Sequence, residues 1–167
     1  MEIINELTLI RAKLKELDAH CERLIQEIME NNTSQPEANQ AGFEALIPLT
    51  TGTAFFKGKH PTAVIIDGRR VDTATWKKVF EAIMQDCARD PQRRQALMDL
   101  RGRVQGRNRV LLGSEKGSMR SPVQIAEALY AETHYDTETL LKTMITRILE
   151  PVHYPYGGIL IAVRNDF

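Results

Sequence analysis

Cysteine is scarce in this 167-residue chain, tryptophan occurs once, and the net charge is zero. The two cysteines, Cys21 and Cys87, fall on apolar faces of predicted helices, which argues against a disulfide framework and fits a reducing cytoplasm. No apolar run approaches the roughly 18 residues of a membrane span. The first residues are acidic and amphipathic, so neither membrane insertion nor a signal peptide is expected. His20, His60 and His153 are scattered and show no metal spacing with the cysteines, so no metal or other cofactor is expected. The loop Gly113-Ser114-Glu115-Lys116-Gly117-Ser118 has the composition of a phosphate loop but lacks the Walker A spacing and its Lys-Ser/Thr ending. Neither cysteine is placed as an exposed nucleophile, and the expectation is a protein that is not an enzyme.

What is present begins with a stripe. Ile3, Leu7, Ile10, Leu14, Leu17, Cys21, Leu24 and Ile28 recur at alternate steps of four and three, a seven-residue repeat unbroken by Gly or Pro. Residues 1–30 therefore read as a coiled-coil oligomerisation helix, with Leu7, Leu14, Cys21 and Ile28 at a and Ile3, Ile10, Leu17 and Leu24 at d. A parallel pair sets Glu6 against Arg11 and Lys13 against Asp18, whereas an antiparallel pair brings Glu6 toward Glu27, so the charges favour parallel. Such surface pairs are worth a few tenths of a kcal/mol. The seam carries the stability, at ~1.5 to 3 kcal/mol per fully buried large side chain. A parallel homodimer is expected; Ile at d with Leu at a leans toward a trimer or tetramer, while Leu17, Leu24 and Cys21 depart from that pattern. The alternative is a helix docked on its own domain.

Residues 31–42 are a polar linker, and 43–167 read as one globular domain of α/β or α+β class. The expected body is a small sheet of three or four short strands with about four helices. Residues 43–56 form an irregular arm or short strand. A hairpin at 62–71 turns on Asp67-Gly68. Asp72 caps the next helix, with Val71 and Trp76 as a hydrophobic staple and an apolar stripe down to Ala88. Asp90-Pro91 opens another helix, and Val110 to Leu112 read as a short strand. Ser121-Pro122 with Gln124 reads as a capped helix start. Tyr135, Asp136 and Leu140 form a second staple for a helix running to Glu150, stopped by Pro151. Ile159 to Arg164 is a final strand.

The neutral total hides an asymmetry. Residues 1–50 carry nine acids against four bases, 51–120 seven against fifteen, and 121–167 six against three. Within the basic middle, Arg93, Arg94, Arg101, Arg103, Arg107, Arg109, Lys116 and Arg120 fall in 28 residues, opposed only by Asp99 and Glu115. Arginine forks suit phosphate, and a repeating phosphate backbone engages many at once, so nucleic acid is the natural ligand. DNA and RNA are not distinguished, and no zinc-finger or RRM pattern supports base-specific reading. A solvated face, internal salt bridges or an acidic protein partner would use the same residues. Glu132, His134 and Asp136 alternate and would share one side of an extended segment, the one place where two acids and an imidazole converge in sequence.

The series FFKGKHPTAVIIDG at 55–68, TW at 75–76, LRGR at 100–103, RVLLG at 109–113, SMRSP at 118–122, LYAETHYDTETL at 129–140 and the closing strand GILIAV resembles a C-terminal module carried by uncharacterised bacterial phage and mobile-element proteins. The resemblance spans residues 55–164 and leaves the N-terminal helix outside. It implies a setting in phage or mobile-DNA biology, as a regulator of host nucleic-acid machinery or one that interferes with it, and brings no catalytic residues. The expected protein is thus a self-associating, cytoplasmic nucleic-acid binder, with an oligomeric adaptor or inhibitor that binds a protein as the alternative.

Overall fold

The computed structural model describes residues 2–32, 44–105 and 109–164, with side chains in the first helix described from 3 to 26. The chain divides into two compact units, Met1–Ala41 and Gly42–Phe167.

The first unit contains helix α1, Glu2–Asn32, about 46 Å long at 1.5 Å per residue. Every described side chain along it is exposed in the single chain. Ile3 is 71% exposed, Leu14 61% and Leu17 63%. The exposed set reaches beyond the heptad seam to Ile4, Leu9 and Ile25. The side chain of Ile28 lies outside the described residues. No helix among the described residues is long and apolar enough to cross a membrane.

The second unit is a small α+β domain. Its elements run β1 (Glu44–Pro48), two 3-10 turns over 49–56, β2 (His60–Ile66), β3 (Arg69–Asp72), α2 (Trp76–Cys87), α3 (Pro91–Asp99), β4 (Leu112–Gly113), β5 (Pro122–Ala126), β6 (Leu129–Glu132), α4 (Thr137–Met144) and β7 (Leu160–Arg164). A π turn, Ile145–Leu149, prolongs α4. The strands form two antiparallel sheets, ordered β1-β7-β2-β3 and β4-β6-β5. The expected single sheet is therefore two.

Strand periodicity explains the larger sheet. Ile47, Ile161, Val64 and Val71 lie in one cross-strand row, in which Val64 and Ile161 are buried in the apolar core and the partly buried Ile47 and Val71 pack against it. Helix α2 packs on β2 and β5 and meets α4. Val79, Phe80, Ile83, Met84 and Cys87 supply its buried stripe, as the spacing of three and four requires. The hairpin turn is as read: Asp67 and Gly68 both have positive φ, 50° and 73°, which a two-residue turn of this hand demands.

Three local expectations fail for identifiable reasons. The segment 121–130 is a hairpin and not a helix. Val123 and Ile125 are buried with Gln124 exposed between them, a period of two, and Pro122 is tolerated as the first residue of the edge strand β5. The cap of α2 is Thr75, whose Oγ1 accepts from the Lys78 N–H at 3.2 Å. Asp72 is taken up by β3 opposite Ala63, which moves Trp76 from the staple position to the first residue of the helix. Its indole N–H donates to the Lys59 carbonyl at 2.9 Å, and its ring meets Phe56 edge-on. The strand expected at 110–112 is shifted, since Val110 only bridges Gln105 and β4 begins at Leu112.

Candidate functional site

The basic segment divides into arginines that hold the fold and bases that face water. Arg94 Nε donates to the Ala88 carbonyl at 2.9 Å, closing the joint between α2 and α3. Arg101 donates to the Met98 and Ala128 carbonyls, both at 2.9 Å, and so ties the end of α3 to the β5–β6 turn. Arg93 lies over the Tyr154 ring at 5.5 Å and 3.9 Å from Asp90. Arg109 stands 3.7 Å from Glu132 but is 44% exposed. Arg103, Lys116 and Arg120 are exposed, and no hydrogen bond or ion pair of their side chains occurs among the described residues. Arg107 lies outside the described residues. An open cleft of about 350 Å³ lies within this segment, lined by Met98, Arg101, Gly102, Gly113 and Ser114.

Glu132 is the anchor beneath this surface. Its side chain is 1% exposed. Oε2 accepts from the Arg120 N–H at 2.6 Å, and Oε1 accepts from the N–H groups of Ser121 at 2.9 Å and His134 at 3.0 Å. Burial pushes the carboxyl pKa up, but the backbone N–H groups of Arg120, Ser121, His134 and Thr133 outweigh it and hold the value below the ordinary glutamate range. The charge thus fastens the 113–120 loop to the end of β6 and places Arg109 and the Arg120 backbone on the same group.

The structure does not assemble Glu132, His134 and Asp136 into one centre. Glu132 is engaged inward, His134 is exposed, and Asp136 caps α4 by accepting from the Thr139 N–H and hydroxyl. Those two bonds lower the Asp136 pKa. Among the described residues no three His, Cys, Asp or Glu side chains are grouped to hold a metal. Burial pushes the Cys87 thiol up to about 12, which leaves it without the thiolate a nucleophile needs.

A second polar group escaped the sequence reading. On the face of the four-stranded sheet opposite the core row, Arg70 reaches from β3 to Glu44 on the far edge strand, with bonds of 2.9 and 3.1 Å, and also donates to Asp72 at 2.9 Å. Ala63 and Ala162, in the strands between, are fully buried. Thr62 donates to Glu44 as well. The hydrogen bonds from Arg70 and Thr62 lower the Glu44 pKa. The available signal was the alanine in each of two strands otherwise built of branched residues. Comparison of the chain with protein-family models, curated proteins and solved structures found no match.

Proposed function

We propose that this chain is a self-associating, non-enzymatic protein that binds the phosphate backbone of nucleic acid. The observation that carries the first half is α1: seven described seam residues at heptad spacing stand exposed on one unbroken helix. A second copy in parallel register buries that seam and pairs Glu6 with Arg11 and Lys13 with Asp18. Association duplicates the basic face, so two patches act on one polymer with a raised effective concentration. The phage or mobile-element setting rests on the resemblance over residues 55–164, and a cytoplasmic place on the reduced cysteines.

Phosphate contact falls to the bases that face water, Arg103, Arg109, Lys116 and Arg120, together with Arg107. The test is affinity for duplex DNA and for RNA across a salt series. Five phosphate contacts per chain give a slope of log K against log salt of about −4 to −5 on B-DNA. Absence of binding at low salt, or affinity indifferent to salt, refutes the reading. Replacing Arg103, Arg107 and Arg109 together should weaken binding about equally on all sequences.

One observation favours a second reading, an oligomeric adaptor or inhibitor that binds an acidic protein surface. Arg93, Arg94 and Arg101 already hold groups of their own chain, which trims the patch below what a long duplex can use.

A further inference from the structure

Trp76 sits where two surface features join. Its ring meets Phe56 at 5.4 Å and its indole N–H holds the Lys59 carbonyl at 2.9 Å, which pins the turn that carries Phe55. Phe56 is fully buried, whereas Phe55 is 50% exposed; the other aromatic side chains among the described residues are buried or half-buried. Backbone bonds set the turn. The Phe55 N–H donates to the Gly52 carbonyl and the Lys59 N–H to the Phe56 carbonyl, both at 3.1 Å, and Gly52 and Gly58 supply positive φ, 123° and 75°, on either side. The Lys59 ammonium lies 4.8 Å from the centre of the Phe55 ring. The result is an aromatic platform held outward with a cation beside it.

We propose that this platform extends the basic surface into a path for single-stranded nucleic acid, with an unpaired base stacked on Phe55 and phosphates on Lys59, Lys77, Arg120 and Arg109. The choice of ligand rests on the nucleic-acid reading and narrows it. Lys77, the residue after Trp76, joins the platform to the arginines. Its ammonium is half-buried and donates to Ser121 Oγ at 2.9 Å, and it forms no ion pair among the described residues. An ammonium carries three N–H donors, so a charge partly withdrawn from water keeps two to offer an anion. Beyond Ser121, the N–H groups of Arg120 and Ser121 hang on Glu132, and Arg109 stands 3.7 Å from the same carboxylate. Arg120 and Arg109 are both exposed. Consecutive contacts thus lead from Phe55 to Arg109.

The form of the polymer follows from what it must offer. The bases on this route come from separate stretches of chain, and Arg94 and Arg101, which hold carbonyls of their own domain, are not among them. A duplex is stiff over about 150 base pairs and keeps its base faces inside the stack, so the exposed ring is of no use to it. A single strand follows scattered cations, and each of its bases has a face to lay on an aromatic ring. Stacking also supplies affinity where phosphate contacts are few.

The test is fluorescence anisotropy of the full chain with a labelled oligothymidylate of about 12 nucleotides, within the range that single-strand grooves take up, beside an abasic strand and a duplex of the same length. Oligothymidylate should bind more tightly than the duplex, and at least about fivefold more tightly than the abasic strand, as one stacked base requires. Phe55→Ala should weaken its binding about 5- to 150-fold while leaving the salt slope and the urea midpoint close to the parent's, and Phe55→Trp should restore it. Lys77→Gln should weaken the oligothymidylate and the abasic strand alike and flatten the slope of log K against log salt by about 0.7. Oligothymidylate bound no more tightly than the abasic strand or the duplex, or a Phe55→Ala variant that binds as the parent does, overturns the proposal and leaves the phosphate reading standing. A chain that binds neither oligothymidylate nor duplex overturns both.

Discussion

Replacing Glu132 by alanine should remove a large share of the domain's stability. The side chain is almost wholly buried and accepts three backbone N–H groups, from Arg120, Ser121 and His134. Alanine leaves those donors in a space without acceptors. Breaking a buried charged arrangement of this kind costs about 3 to 5 kcal/mol, against a total of about 5 to 15 kcal/mol for a typical domain. Glutamine separates the contributions. Its remaining oxygen keeps the Ser121 and His134 bonds, while its amide N–H meets the Arg120 N–H donor to donor, a loss of about 1 to 3 kcal/mol. The assay is urea unfolding followed by the fluorescence of Trp76, the single tryptophan. With a slope of about 2 kcal/mol per molar urea, the alanine midpoint should fall by roughly 1.5 to 2.5 M and the glutamine midpoint by less.

The pH dependence has a definite sign. The folded carboxyl is held below the ordinary glutamate value, so its contribution is fully present above the unfolded pKa, near 4.3. It fades as pH falls through the depressed folded value. The gap between the parent and Glu132→Gln should therefore be widest near neutrality and close in acid. Both variants staying within about 1 kcal/mol of the parent, or a gap that widens in acid, would refute the reasoning.

Other consequences are smaller. Parallel self-association places Cys21 opposite Cys21 in an a layer, so mild oxidation should yield a covalent dimer on a non-reducing gel; an antiparallel pair sets Cys21 against Ile10 and leaves the chains unlinked. Ala128 holds φ 52° in the β5–β6 turn, a conformation that strains an L side chain by about 1 to 2 kcal/mol. Ala128→Gly should raise stability by about 0.5 to 1 kcal/mol once the greater freedom of unfolded glycine is offset, a rise in the urea midpoint of about 0.25 to 0.5 M, and a fall would contradict the strain.

Elements whose ends carry their own chemistry were readable in advance. Asp90 before Pro91 marks the start of α3, Asp136 caps α4, and Asp67-Gly68 sets the first hairpin. Each is a local signal that tertiary packing did not overrule. Ser121-Pro122 was ambiguous because the same pair can begin a helix or an edge strand, and only the buried–exposed alternation of Val123, Gln124 and Ile125 decides. The site was less readable still. Glu132 is satisfied by N–H groups eleven and twelve residues earlier, and backbone donors leave no mark in side-chain identity. Arg94 and Arg101 look like ligands for phosphate in sequence, yet they terminate on carbonyls, a use that composition cannot separate from solvent exposure.

The most direct test of whether α1 joins copies of this protein is sedimentation equilibrium of the full chain beside a Leu14→Lys, Leu17→Lys variant. The parent should sediment at a whole multiple of the single-chain mass, and the variant, with two charges in the seam and an unchanged body spectrum, should sediment as one chain. A parent that is a single chain at tens of micromolar, or a variant that associates as the parent does, would contradict the account.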